Sequence, residues 1–338
     1  MINPAPARTG VTGASVSVSA PVSASVSASA PVSAPATAPI VSVKPIVLSA
    51  PERGADLHVR VSAPATGHDL PVVLFAHGFG SNLDGYAPLV DHWAAHGFVV
   101  IQATHLDSKR LHLAADDPRK PQWWRHRVQD MKRVLDELDT LEAAVPGLTG
   151  RVDRRRVVAA GHSFGGQTAG ILVGLRVVDP RTGIAEDMSD PRVRASILLA
   201  TAGRGGDGLT PFAHDNLPWL RDQDFSHITA PTLVVAGDKD ELPLSTRGAA
   251  WTTDPYTLSS GDRHLLTLFG GRHFLGGISG YEAAETTDES PERVALIQQV
   301  TLAYLRHVTD IADADWAAAR TALAEGSHPL GRLESNGA

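Results

Sequence analysis

Apolar residues in this chain gather into short continuous runs closed by Gly, Pro or Asp, and stretches with helical spacing separate the runs. Val72 to Ala76 and Phe98 to Ala103 are such runs, and continuous short runs of this length predict strands buried on both faces. Val157 to Ala160, Ala195 to Ala200, Thr232 to Ala236 and His264 to Phe269 extend the series. Two earlier segments, Ile46 to Ser49 and Leu57 to Ser62, suit an antiparallel edge, because Leu57, Val59 and Val61 alternate with His58, Arg60 and Ser62. Helices are predicted over Gly85 to His96, stopped by Gly97, and over Gln122 to Val145, where Val128, Met131, Leu135, Leu138 and Leu141 recur every three or four residues. Two more follow over Ser163 to Leu175 and Pro291 to His307. Strand alternating with helix predicts an α/β fold with a mostly parallel central sheet of about eight strands and helices on both faces. In such sheets reactive groups collect at the carboxyl ends of strands.

The first residues have a different texture. Ala14 to Pro39 cycles through Ser, Ala, Val and Pro, and such a segment lacks the apolar bulk to offset its ordering entropy. Ser alternating with Val also fails the unbroken apolar core of a secretory signal. Residues 1–40 are therefore read as a disordered leader, 41–310 as the catalytic domain and 311–338 as a C-terminal helix and tail. A net charge of -7, from 37 acidic and 30 basic side chains without blocks of one sign, argues against nucleic acid as partner. The run Arg154 to Arg156 reads as a solvated lead-in to a strand. Cysteine is absent, which excludes disulfides, thiolate nucleophiles and thiolate metal sites. No stretch reaches the roughly 20 apolar residues of a transmembrane helix, so a soluble protein is expected, in the cytoplasm unless exported.

Gly161-His162-Ser163-Phe164-Gly165-Gly166 stands between a strand and an apolar helix. That context suits a nucleophile elbow, in which the chain reverses so sharply that Gly161 and Gly165 are needed where backbones approach. Ser163 would project from the turn, and the N-terminus of the following helix would favour negative charge beside it. A hydroxyl is a weak nucleophile without a base, and the base needs an orienting group. Asp240 follows the strand Thr232 to Ala236, and His273 follows the strand His264 to Phe269. Asp238 is the rival acid, and turns of the form Gly-Asp-x-Asp often use the first Asp to cap the loop. His264 is the rival base, placed at the start of its strand. Backbone N–H groups of Phe164 and of Phe79, in the glycine-rich turn His77-Gly78-Phe79-Gly80, are candidates for an oxyanion hole.

These residues, with Phe75-Ala76-His77-Gly78-Phe79-Gly80, Ala94-Ala95-His96-Gly97-Phe98 and Gly237-Asp238-Lys239-Asp240, resemble the α/β-hydrolase superfamily. The resemblance is to the group of dienelactone-hydrolase-like proteins, platelet-activating-factor acetylhydrolases, chlorophyllases and polyester esterases, and it runs from about Val41 to His307. It implies the α/β-hydrolase fold, favours Asp240 as the acid, and places the oxyanion donors at Phe79 and Phe164. It further implies a serine carboxylesterase acting through an acyl-enzyme on a small-molecule or polymeric ester of short to medium acyl or aromatic type, with no cofactor. Two departures stand out: chlorophyllases usually carry Arg where this chain has Phe164, and secreted polyester esterases often carry a disulfide. The same triad could serve a lactone or amide hydrolase or an acyltransferase, and the fold could also survive as a non-catalytic binding module. Loops at Thr104 to Gln122, Val177 to Arg192 and Thr201 to Ala230 are candidates for substrate selection. Phe79, Trp123, Trp124, Phe212 and Trp219 are candidate pocket residues. His105, Asp107 and His112 match no recognised ligand pattern, so no metal is assigned.

Overall fold

The apolar runs become the strands of one nine-stranded sheet. A computed structural model describes residues 37–282, 288–324 and 328–336. The chain runs through β1 (Ile40–Leu48), β2 (Leu57–Pro64), β3 (Leu70–Ala76), α1 (Ala87–Ala95), β4 (Val99–Ala103), α2 (Trp123–Asp136), α3 (Leu138–Ala144), β5 (Val152–His162) and α4 (Phe164–Leu172). It continues through β6 (Arg176–Val178), β7 (Ala185–Glu186), β8 (Val193–Leu199), α5 (Pro211–Asn216), β9 (Gln223–Asp224), β10 (Thr232–Gly237) and α6 (Asp254–Leu258). The last elements are β11 (Arg263–Leu268), α7 (Pro291–Val308), α8 (Ala314–Ala324) and β12 (Gly331–Asn336). The large sheet has the order β1-β2-β4-β3-β5-β8-β10-β11-β12. Its inner strands, β4 through β11 in that order, pair in parallel, while β1, β2 and β12 pair antiparallel.

Because side chains alternate along a strand, each central strand feeds two cores. Val72, Leu74 and Ala76 of β3 pack with Val128, Met131 and Leu172 from the helices on one face. Val73 and Phe75 pack with Trp93, Ile297 and Tyr304 on the other. Both faces are thus covered, which is why these runs are continuously apolar. Among the described residues no helix is long and apolar enough to cross a membrane.

Four expectations need adjustment. The predicted helix Gln122 to Val145 breaks at Glu137, whose backbone turns out of helical geometry at φ -103°, ψ 20°. Beyond the break the buried Glu142 carboxylate receives the Gly150 N–H at 3.1 Å and the Arg154 Nε at 3.1 Å. The run Arg154 to Arg156 lies within β5, and its guanidinium groups pair with Asp139, Glu142 and Asp153. Residues 311–338 are more than a helix and tail, since β12 supplies the ninth strand and buries Leu333 against β11. The leader expected over residues 1–40 lies outside the described residues over 1–36, and strand geometry begins at Ile40.

Ile297 is fully buried between α7 and the sheet, whereas Ile311 is 46% exposed. Ile297→Ala is expected to lower the unfolding free energy by about 2–5 kcal/mol, and Ile311→Ala to change it by less than about 0.5 kcal/mol. Urea unfolding followed by circular dichroism, with the slope m unchanged, checks both. Equal effects would contradict the packing described.

Candidate active site

The turn between β5 and α4 is built by close backbone approach. A Cβ at Gly161 would stand 2.2 Å from the Gly165 carbonyl oxygen, and one at Gly165 would stand 2.0 Å from that of Ala76. Only glycine fits either place. Between them Ser163 takes φ 56°, ψ -119°, a conformation that costs a non-glycine residue on the order of 1–3 kcal/mol. Its backbone is held there from two sides. Ser163 N–H donates to the Leu199 carbonyl at 2.8 Å, and its own carbonyl accepts from the Thr201 hydroxyl at 3.1 Å.

Asp240 and His273 come from the loops after β10 and β11, and His273 bridges Asp240 and Ser163. His273 Nε2 lies 2.9 Å from Ser163 Oγ, and His273 Nδ1 lies 3.0 Å from Asp240 Oδ2. Asp240 is 1% exposed, so water does not compete for the imidazole. The rival residues are occupied elsewhere. Asp238 Oδ1 accepts the Gly270 N–H at 2.7 Å, a loop cap. His264 bonds the Ser335 hydroxyl at 2.8 Å and packs on Trp316, at the opposite end of its strand.

Two buried networks support this group, and their central residues, Tyr86 and Arg127, were not singled out from sequence. In the first, the Tyr86 hydroxyl accepts the Gly78 N–H at 3.0 Å and donates to His162 Nδ1 at 2.9 Å. His162 Nε2–H then donates to the His273 carbonyl at 2.7 Å. The bonds fix the tautomer, and burial, reinforced by His273, holds His162 down to about 3. In the second, the fully buried Arg127 of α2 donates to Asp107 Oδ1 at 2.6 Å, to the Thr168 hydroxyl at 3.1 Å and to the His77 carbonyl. Asp107 Oδ2 receives the Gly80 N–H at 3.1 Å, Thr168 donates to the Phe164 carbonyl at 3.1 Å, and the guanidinium carbon sits 4.5 Å from the Phe164 ring centroid. One ion pair thereby ties the His77–Gly80 turn to the start of α4. Arg127, Asp130, Met131 and Val134 fall at helical spacing, so the apolar face of α2 itself was the signal that this Arg points inward. His77 is neutral as well, with Nδ1–H donating to the Gly78 carbonyl at 2.7 Å and Nε2 accepting the His105 N–H at 3.1 Å. Burial, aided by Arg127, lowers it to about 4.

The Phe79 and Phe164 N–H groups, the candidate oxyanion donors, have no acceptor among the described residues. Phe79, Ser163, Phe164 and His273 line a cavity of about 770 Å³ together with Trp123, Phe212 and Trp219. Phe164 stacks on Trp219 with centroids 5.4 Å apart, and Phe79 lies 6.0 Å from Trp123. Trp124 is a correction: it is 1% exposed within the core and absent from the wall, because it falls on the next helical position, about 100° around α2 from Trp123. The loop at Val177 to Arg192 is a second correction. It contributes nothing to the wall; its strands β6 and β7 form a small separate sheet with β9. Leu242, Pro243 and Leu244, which follow Asp240, line the wall instead. His105 Nδ1 lies 2.9 Å from Asp130 Oδ2, and Asp107 Oδ1 accepts from Arg127 at 2.6 Å.

Residues 40–183 match the chlorophyllase family model. Cutinase est1 of Thermobifida alba is 24% identical over 64% of this chain and 57% of its own length. Cutinase 1 of Thermobifida cellulosilytica is 24% identical over 64% of this chain and 64% of its own length. Platelet-activating factor acetylhydrolase of Cavia porcellus is 24% identical over 30% of this chain and 31% of its own length. The chain thus spans less than two thirds of the curated relatives it matches. With a sheet of this order the chain has an α/β-hydrolase fold, and it is similar to the chlorophyllase family over residues 40–183 and, at 24% identity, to cutinases and a platelet-activating factor acetylhydrolase.

Proposed function

We propose that this chain hydrolyses carboxylic esters through a covalent acyl-enzyme, with Ser163 as nucleophile, His273 as general base and Asp240 as the residue that orients the imidazole. The carrying observation is the unbroken path from Ser163 Oγ to His273 Nε2, 2.9 Å, and from His273 Nδ1 to Asp240 Oδ2, 3.0 Å, at the wall of an aromatic cavity. In the first half-reaction His273 Nε2 takes the hydroxyl proton as Oγ bonds the ester carbon. The carbonyl oxygen becomes an oxyanion that receives the Phe79 and Phe164 N–H groups, and the resulting imidazolium faces the Asp240 carboxylate. Its proton then passes to the departing alcohol as the C–O bond breaks. Water repeats the sequence on the acyl-serine, releasing the acid and restoring Ser163.

The cavity's size and aromatic lining suit short to medium acyl or aromatic esters, and the similarity to cutinases supports extending this to polyester chains. Phe79 and Phe212 stand at 53% and 61% exposure, so the rim is open to a polymer as well as to a small molecule. The chemistry uses no thiol, so it is indifferent to the redox state of the compartment.

Ser163→Ala is expected to lower kcat on p-nitrophenyl butyrate by at least about a thousandfold with the urea midpoint kept; retained turnover would refute the nucleophile. Asp240→Asn should cost about 10³–10⁴ in kcat. Asp238→Asn keeps an oxygen acceptor for Gly270 N–H and should stay within about tenfold. The reverse ranking would exchange the two roles.

The buried imidazoles also set a pH response of stability. His162 and His77 titrate in the folded protein near about 3 and about 4, below their ordinary 6.5, and His105 is lowered by burial too. A depressed folded-state value means that the unfolded chain takes up the proton first, so stability is full above 6.5 and is lost as the pH falls toward 4. Asp130, raised by burial to about 7, acts in the opposite sense. His92, lowered to about 4, and His126 and His264, lowered by burial as well, act with the other rings, so six rings against one carboxyl predict a urea midpoint that drops between pH 6.5 and 4.5, with a shallower drop in His162→Asn. A midpoint that holds or rises over this interval would overturn the assignment of neutral rings.

A further inference from the structure

The cavity wall carries charge of one sign. Lys109, Arg110 and Lys120 line it, and no carboxylate does, in a protein whose net charge is -7. Such an arrangement runs against the average surface of the molecule. The chain holds only five lysines, and two of them stand at this opening.

Their pairing is as informative as their number. Arg110 is bound to Asp84, which also holds Lys44, so this one carboxylate is shared between two cations. Lys109 and Lys120 make no ion pair among the described residues. The backbone fixes Lys109 through its N–H to the Gly80 carbonyl, 3.0 Å, and the Lys109 stem lies over Gly80, with Cε 3.2 Å from where a Cβ there would stand. Lys120 Nζ sits 5.9 Å from the centroid of Trp123, which in turn lies 6.0 Å from Phe79. Both free ammonium groups therefore belong to the side of the cavity built from Phe79, Gly80 and Trp123. Elsewhere the lining includes the apolar side chains Phe212, Leu217, Trp219, Leu242 and Leu244.

A cleft lined by unpaired cations and low-dielectric side chains concentrates anions at its mouth and rejects cations. We infer that this site selects esters that bear a carboxylate a short apolar spacer away from the scissile carbonyl, half-esters of dicarboxylic acids. The apolar spacer lies along the aromatic wall while the carboxylate meets Lys109 and Lys120. This inference rests on the ester-hydrolase reading of the same site and specifies the charge of its substrate. Hydrolysis of such a half-ester adds water across the C–O bond and releases the diacid and an alcohol, with no further reactant.

The test compares p-nitrophenyl hydrogen adipate, p-nitrophenyl hexanoate and p-nitrophenyl 6-aminohexanoate, which share leaving group and chain length and differ in terminal charge. At low ionic strength the anionic ester should exceed the cationic one in kcat/KM by roughly tenfold, the scale of two solvent-exposed ion pairs. The ratio should shrink toward one in about 0.5 M salt as the charges are screened. It should also shrink in Lys109→Gln/Lys120→Gln, whose unfolding midpoint is measured alongside. Hexanoate turnover with an anionic-to-cationic ratio at or below one, or with a ratio that ignores both salt and the double substitution, overturns this inference and leaves the esterase reading standing. Failure to turn over any of the three esters would instead bring down the esterase reading, and this inference with it.

Discussion

A guanidinium sealed from water, Arg127, holds apart and together the two backbone segments on which the candidate chemistry depends. Burying a charge is tolerable only when a counter-charge and good acceptors replace its hydration. Here Asp107, the Thr168 hydroxyl and the His77 carbonyl do so. Because each acceptor belongs to a different element, the arrangement of the cation dictates theirs. Asp107 extends the constraint to Gly80 N–H, and Thr168 extends it to the Phe164 carbonyl. The peptide groups that flank the Phe79 and Phe164 N–H donors are therefore referenced to one buried ion pair. The separation of two oxyanion donors must hold to a few tenths of an ångström to be useful. A charge that would be destabilising if released is well suited to keep that separation.

Much of this was legible in the chain before any coordinates. The strand runs, the turn glycines Gly161 and Gly165, and the positions of Asp240 and His273 after later strands are local signals, each readable within a few residues. The fold then brings those positions together because the carboxyl ends of parallel strands point to one edge of the sheet. What was not legible depends on partners far away in sequence. Arg127 sits in a helix whose charges read as solvent-facing, and only its register with Met131 and Val134 gave it away. Trp124 shares composition with Trp123 but not direction, a matter of one helical step. The strand Gly331–Asn336 has little apolar content of its own; it exists because β11 offers an unpaired edge, a tertiary demand that overrides a weak local preference. The break at Glu137 likewise comes without a Gly or Pro in the helix to announce it.

The two supporting networks divide the work differently. Arg127 orders the donors that would meet the oxyanion, whereas Tyr86 and His162 join the His77–Gly80 turn, the elbow and the His273 main chain. Gly78, Tyr86, His162 and His273 form one relay of hydrogen bonds with every donor and acceptor role assigned. A relay of this kind transmits displacement: a shift of the turn carrying Phe79 would move the peptide of the residue that supplies the base.

Neutrality of His162 has an electrostatic consequence for the reaction proposed. Its ring centroid lies 4.8 Å from that of His273. At that distance a second positive charge would oppose formation of the imidazolium by several kcal/mol at the effective dielectric of a partly buried site. Engagement of both His162 nitrogens, one as acceptor from Tyr86 and one as donor to a carbonyl, together with burial, holds the ring uncharged wherever the protein is folded. His77, on the far side of the oxyanion turn, is neutral for the same reason. The cation that develops on His273 during attack thus faces the Asp240 carboxylate without a neighbouring imidazolium against it. Of the imidazoles His77, His105, His162 and His273 gathered at this end of the sheet, His273 is the one that bonds the Ser163 hydroxyl, and that is the ring placed to carry the proton.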